Sequence, residues 1–375
     1  MLDIKNKDAM ETNEKISQLQ GLRGVAMLGI FIMHTFVFYT DSGGARIMTF
    51  VNQLGTIGVI VFFMLSGFLL VYKEKQIPHL CLKDRWTECA GKFYKLRVLY
   101  VVTMVVAFIG RFPQKFADWV YTVVSIPLNF FYIQDLVPHT AINNSLNGPA
   151  WYISAMFVIW LIVYSIPNLT NSIQSKNAKQ CSIIAVIIII LQCLYKGLEA
   201  IFPVGLIPIN HPDLYMTWIG YFSPFWNLGF FYLGGIVGRL AKIHKSSDIT
   251  QSVISVIVLI AMFLCFYKEW YNEYSKSILI EILVGLLMLN IISDSALLAK
   301  FLSLKPIVWF GNISACFFLI HGVVNYNLRY IETNVNKPLL FFISLFLSVF
   351  FSVLSNKYLM LNKDESILQA IRKNS

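Results

Sequence analysis

LQGLRGVAMLGIFIMHTF, residues 19–36, is an apolar run that carries an arginine at 23 and a histidine at 34. Its length suits a membrane-crossing helix, which needs about 20 mostly apolar residues. An ionisable side chain inside such a helix is costly, and it marks a functional position by default. On an α-helix, 11 residues at 100° each return to within about 20° of the starting face and rise about 16 Å. Arg23 therefore stands where the apolar run begins, and His34 points deeper on the same stripe. Structural readings stand beside the functional one: Arg23 as an interfacial anchor and His34 bonded to a neighbouring helix.

The rest of the chain has the same character. Of 375 residues, 57% are hydrophobic and 13% charged, with a mean hydropathy of +0.65. Soluble domains are nearer half apolar and a quarter charged. The composition predicts an all-α polytopic transmembrane helix bundle. The formal charge of +10 comes from short basic tracts beside apolar segments, a pattern that signals topology and contact with anionic lipid. It argues against nucleic acid as a partner. Six cysteines, at 81, 89, 181, 193, 265 and 316, form no CxxC pair; neither a metal site nor a disulfide is expected.

Apolar windows fall near 20–40, 52–72, 98–112, 118–134, 150–167, 182–202, 217–240, 251–267, 277–293, 306–326 and 337–356, eleven candidates by length. The basic residues from Lys73 to Arg97 place the connection after the second window in the cytoplasm, and Arg239, Lys242 and Lys245 do the same after 217–240. Five candidates lie between these loops, and an odd number of crossings cannot return the chain to one side. One candidate in 98–134 is therefore expected to be re-entrant or interfacial, which leaves about ten spans. The division is residues 1–18 as a cytoplasmic segment, 19–356 as the membrane domain and 357–375 as a cytoplasmic tail. No soluble-domain composition follows the last window, so any chemistry is expected within the membrane domain or by hand-over to a separate protein.

Other stretches mix polar and apolar residues. LGTIGVIVFFMLSGFLLVYKEK, 54–75, has small residues suited to close helix packing, with Ser66 a candidate pocket donor. GKFYKLRVLY, 91–100, brings Lys95 and Arg97 to the edge of an apolar run, where Arg97 suits a bidentate phosphate contact. In NNSLNGPAWYIS, 143–154, the run Asn143–Asn147 suits the mouth of a sugar site, with Trp151 as a stacking platform. FGNISACFFLIHGVVNYNLRY, 310–330, places His321 in a late span. Asp135, Glu199 and Glu281 are acidic residues in or beside spans, and any of them is placed to orient His34. Gly234 and Gly238 have GxxxG spacing and read as packing.

Taken in order, these segments resemble the integral-membrane acyltransferase family three. Its first-span pattern LxGLRGxAxxxVxxxH is met by LQGLRGVAMLGIFIMH, and FFxLSGFLL by FFMLSGFLL. A basic cluster at the third span is approximated by Lys95 and Arg97, PxWY by PAWY, and a late GxxSYxxYLxH by GNISACFFLIH. Ala315 and Phe318 stand where the family often has tyrosines, and Lys95 where it has arginine. The resemblance runs from residue 19 to about 356.

It implies transfer of an acyl group, usually acetyl, from acyl-CoA to a hydroxyl of a cell-surface polysaccharide or lipid-linked glycan. Acyl-CoA is then a co-substrate, with no permanently bound cofactor and no metal. His34 becomes the catalytic residue, Arg23, Arg97 and Lys95 the acyl-CoA-binding residues, and Ser66, Trp151 and His321 the acceptor or pocket residues. The expected location is the cell membrane, multi-pass, with both termini cytoplasmic. The rival reading is a transporter or flippase of a lipid-linked glycan. Intramembrane Arg and His fit it, but paired internal repeats and matching broken helices are missing from the sequence. A glycan polymerase or glycosyltransferase would favour longer charged external loops than this chain offers.

Overall fold

Apolar runs with few charges leave the backbone no solvent partner inside a bilayer, so the chain satisfies its amides internally as helix. The computed structural model describes residues 16–39, 45–110, 116–201, 218–244, 246–268, 273–329 and 336–360. Residues 1–15 and 361–375 lie outside the described residues, as does the side chain of Glu199. No strand occurs among the described residues. Helices of six residues or more are numbered in chain order: α1 Ser17–Tyr39, α2 Ala45–Tyr72, α3 Leu82–Phe93, α4 Arg97–Gly110, α5 Phe116–Phe130, α6 Trp151–Ser165 and α7 Pro167–Ile173. There follow α8 Ala178–Ile201, α9 Pro224–Ile243, α10 Asp248–Lys268, α11 Glu273–Leu289, α12 Leu297–Leu302, α13 Lys305–Leu328 and α14 Lys337–Tyr358. Among the described residues, eight helical stretches are long and apolar enough to cross a membrane, and shorter apolar helices cover Trp119–Phe130 and Ile278–Leu289.

The windows read from sequence all fall on helices, but two differ in extent. The third begins earlier than its hydropathy suggests. α3 and α4 are joined by a 3-10 turn at Tyr94–Leu96 into one span, Leu82–Gly110. Arg97 thus lies midway along a rod and not at its entrance. The fourth, α5, has 15 residues and contains Pro127. It ends against the first turn of α4, where the Tyr100 hydroxyl donates to Asn129 at 3.1–3.2 Å. From there the chain turns back: the His139 ring meets Tyr121, near the start of α5, at 4.7 Å between centroids. It then dips again, and the Asn147 amide donates to the Leu319 carbonyl in the middle of α13 at 2.8 Å. α5 and the segment 131–150 therefore form a hairpin that does not complete a crossing. Set aside, it leaves eight span-length helices, the shorter apolar helix Ile278–Leu289 and α9 among the described residues.

The same-side requirement on the two basic loops is met directly. Lys242, at the end of α9, bridges to Glu74, just after α2, at 2.8 Å. The Arg239 guanidinium donates to the Lys176 carbonyl at 2.9 Å.

Two glycine-mediated crossings set the core. Along α2 and α9, a Cβ on Gly67 would strike the Phe231 carbonyl and one on Gly234 the Met64 carbonyl. Gly234 and Gly238 are packing residues, as their spacing predicts. Along α1 and α13, a Cβ on Gly311 would meet the Gln20 carbonyl, and one on Gly24 would lie 2.9 Å from the Gly311 nitrogen. Backbones come this close only where side chains are missing. Phe31, Phe63, Phe68, Phe157, Phe231 and Phe317 fill the interior, each under 2% exposed.

Candidate functional site

The crossing of α1 and α13 brings His34 to His321. Nδ1 of His34 lies 2.8 Å from Nε2 of His321, and the rings are nearly parallel, edge to edge, with centroids 5.1 Å apart and 6° between their planes. The other nitrogen of His321, Nδ1, sits 3.0 Å from the Phe317 carbonyl oxygen, one turn earlier on α13. A carbonyl only accepts, so Nδ1 of His321 carries the hydrogen. In the neutral ring Nε2 is then an acceptor, and the bond between the rings requires His34 to donate from Nδ1. The Nε2 lone pair of neutral His34 has no partner among the described residues. This tautomer chain is assigned from the hydrogen-bond network, and it ends on a basic nitrogen.

Neighbouring contacts hold the pair. His321 is fully buried among Phe31, Phe317 and Phe318, whose ring centroids lie 5.9–6.3 Å from its own. One turn further on α13, Asn325 donates to the Thr35 hydroxyl at 2.9 Å, and Ser344 of α14 donates to the Asn325 side-chain oxygen. Thr35 follows His34 in sequence, so this clamp ties three helices beside the two rings. Neither Asn325 nor the Phe317 carbonyl was singled out in the sequence, because their importance depends on a contact between distant segments.

At His34 Nδ1 the partner is His321; of the three acids the sequence offered for that role, the Glu199 side chain lies outside the described residues. Asp135 and Glu281 are buried, and the side chains that approach their carboxylates are Asn143 and Gln192, not His34. An imidazole with a fixed tautomer performs the same orienting task as a carboxylate: it accepts the Nδ1 hydrogen.

Arg23 lies on α1 on the stripe of His34 and is half-buried. It donates to the Gln20 side chain at 3.2 Å and has no carboxylate within 4 Å among the described residues. Its guanidinium faces the Tyr152 hydroxyl, which also faces the Ser66 hydroxyl. Ser66 Oγ donates to the Phe62 carbonyl at 3.0 Å. Tyr152 packs between Phe63 at 4.7 Å and Phe318 at 5.4 Å, and Phe318 is itself a neighbour of His321. Arg97 approaches from α4, exposed and close to the Tyr132 hydroxyl. Tyr132 and Tyr152 pack against one small cluster that includes Leu99, Ile153, Cys316 and Leu319. The two arginines thus approach one aromatic wall from different helices. Lys95 is exposed on the turn before Arg97.

Trp151 has a different setting from its neighbour. It is 4% exposed, with Phe222, Tyr221 and Phe63 at 5.0–6.2 Å. Within PAWY it is Tyr152, about 100° further round the helix, that faces Arg23.

The comparisons with known proteins agree with this arrangement of motifs. A family model described as an acyltransferase domain matches residues 16–357. The chain belongs to that acyltransferase family. A similar protein is the acyltransferase MdmB of Streptomyces mycarofaciens, 27% identical over 150 residues. The match takes in 39% of this chain and 38% of the relative, so the chain covers well under half the length of the curated relative it matches. No solved structure matches.

Proposed function

We propose that this acyltransferase moves an acyl group, acetyl first among candidates, from acyl-CoA to a hydroxyl of a cell-surface polysaccharide or lipid-linked glycan. It would do so in the plasma membrane, with both termini cytoplasmic. The observation that carries the reading is the His34–His321–Phe317 chain, because it leaves His34 Nε2 free to take a proton.

In the reaction, the acceptor oxygen forms a bond to the thioester carbon as His34 Nε2 receives the hydroxyl proton. Collapse breaks the carbon–sulfur bond, and the sulfur leaves as thiolate, which takes that proton from His34 to give free CoA. While His34 is protonated both its nitrogens donate, and His321 Nε2 remains the acceptor at Nδ1. Arg23 and Arg97, with Lys95 beside them, bind the CoA phosphates. A half-buried guanidinium with no counter-charge among the described residues favours an anionic ligand, since leaving a desolvated charge unpaired is costly. The 11-residue rise of about 16 Å from Arg23 to His34 then separates the phosphate anchor from the reacting end. Ser66 lines the pocket through Tyr152, and Trp151 backs it.

The test is calorimetric binding of acetyl-CoA to purified protein, followed by transfer of radiolabelled acetyl to glycan extracted from the producing cell. Binding that Arg23→Ala weakens and His34→Ala retains, with label transfer lost in His34→Ala, is the expected result. Full transfer by His34→Ala overturns the assignment. Absence of acetyl-CoA binding by folded wild type removes the donor.

A further inference from the structure

Between α4, α13 and α14 lies a cavity of about 420 Å³ that the reaction described above does not use. Its lining recurs every three or four residues along each helix, as at Leu347, Phe351, Ser355 and Leu359 of α14. Residues at that spacing share one face, so the cavity runs along the helices and not across them. On α14 the lined stretch rises about 18 Å, and on α13, from Ile320 to Leu328, about 12 Å. Of the thirteen lining residues only Thr103, Asn327 and Ser355 are polar, and none is charged. The Thr103 hydroxyl donates to the Tyr100 carbonyl at 2.9 Å and the Asn327 amide to the Val323 carbonyl at 2.8 Å, so both turn back to their own helices. A sugar, nucleotide or carboxylate would lose its water here with little in return.

The cavity opens sideways. Its inner wall includes Leu99, Ile320 and Val323, all buried, while Val102 and Val106 of α4 and Phe351 of α14 line it with 41%, 41% and 45% of their surface exposed. Beside that rim, Val101, Val105 and Phe350 are exposed apolar residues, and both helices belong to stretches long enough to cross a membrane. The mouth is therefore continuous with the surface that these helices turn to lipid, and what stands outside it is hydrocarbon. The volume falls within the range of about 300–1,000 Å³ found for ligand sites. An apolar space of this kind does not hold water, and left void it forfeits dispersion contacts along its whole lining. A flexible hydrocarbon chain entering from the bilayer restores them.

We infer that this cavity is a resident-lipid site, which takes one acyl chain of a bilayer phospholipid along the seam of α4, α13 and α14. The chain is neither donor nor acceptor. Ile320 lines the cavity, whereas His321 stands about 100° further round α13 and meets His34 of α1. α1 contributes no lining residue, so a group carried by the chain is on the wrong side of α13 to react. Its role is support. Leu99 lies two residues beyond Arg97 and Ile320 just before His321, so the chain backs the two helices that carry those side chains. With no charge in the lining, the chain is recognised and the headgroup is not. The inference holds whichever donor and acceptor the enzyme uses.

The test uses the full chain in phosphatidylcholine nanodiscs doped with a phosphatidylcholine that carries a photoreactive diazirine on one acyl chain. After irradiation the labelled residues are mapped by mass spectrometry. Ile320 and Val323 are buried and only a chain inside the cavity reaches them, so the expected result is several-fold more label there than on the exposed Ile187 and Leu194 of α8 or Ile257 and Leu264 of α10. A phosphatidylglycerol probe with the same chain should label alike. Val324→Phe fills the cavity from within and Val106→Phe fills it from the rim; in whichever variant keeps the wild-type elution profile, label at Ile320 and Val323 should fall to the level of α8. Wild type stripped of lipid in detergent should lose Tm and regain it with added phosphatidylcholine, and the filled variant should lose less. Label no higher in the cavity than on α8 and α10, or unchanged in folded variants, overturns the site. Labelling by the anionic probe alone would place recognition in the headgroup and overturn it as well. Displacement of the label by palmitoyl-CoA or by glycolipid extracted from the producing cell would make the cavity a substrate path, and would overturn the resident lipid while leaving acyl transfer intact.

Discussion

His34 and His321 divide one task between two rings. The first holds a free nitrogen, and the second, with its own hydrogen given to Phe317, holds the first in the tautomer that frees it. Positioned general bases contribute about 10²–10⁴-fold to rate. His34→Ala is therefore expected to lower kcat by that range while acetyl-CoA affinity holds, measured by CoA release and calorimetry on one preparation. His321 does not reach substrate in this scheme, so it is a positioning residue, and the two substitutions there should differ. His321→Leu leaves His34 Nδ1 without an acceptor and is expected to cost roughly 10²-fold in kcat. His321→Gln can place Oε1 where Nε2 stood, and a partial return of activity is the expected outcome. Equal loss in Leu and Gln variants of matching Tm would show that the hydrogen bond at Nδ1 is not what matters.

α1 and α13 reach hydrogen-bonding distance only because glycines face each other where they cross. A Cβ at Gly311 lands on the Gln20 carbonyl, which is backbone and cannot swing aside. Gly311→Ala must push α1 away from α13, and overpacking of this kind costs about 1–3 kcal/mol. The loss of activity is expected to exceed the loss of stability, because the same displacement lengthens the His34–His321 bond. Comparing Tm with kcat for Gly311→Ala checks this; a full kcat with a lowered Tm would count against it. The Asn325 clamp works through pairing instead. Asn325→Leu strands the Thr35 and Ser344 hydroxyls in the core, at about 1–3 kcal/mol for an unsatisfied buried group, and thermal unfolding in detergent should register the difference.

At the scale of the whole molecule, the hairpin of α5 and 131–150 keeps the number of crossings even and both basic loops on one side. The Lys242–Glu74 bridge joins those loops, though as a half-exposed pair it adds about 0–1 kcal/mol. Cys81 is exposed just before α3, on the side of that bridge. In intact cells it is expected to resist a membrane-impermeant maleimide and to react after permeabilisation, in a variant whose other cysteines are replaced by serine or alanine. Labelling of Cys81 in intact cells would invert the proposed orientation.

Sequence alone determined the helical class, the positions of the apolar runs, the need for one incomplete crossing within 98–134, and the common stripe of Arg23 and His34. All of these follow from local rules: helical periodicity, span length and the charge of flanking loops. Tertiary structure decided that the partner of His34 Nδ1 is His321, 287 positions away. It also decided that Arg97 sits midway along a rod, that Tyr152 and not Trp151 faces Arg23, and that the polar hairpin reaches α13. Periodicity defines which face of a helix is polar but not its rotation or axial shift against a neighbour. Those are settled where missing side chains let two backbones approach, as at Gly24 and Gly311, and there the hydrogen-bond partners of the site are chosen.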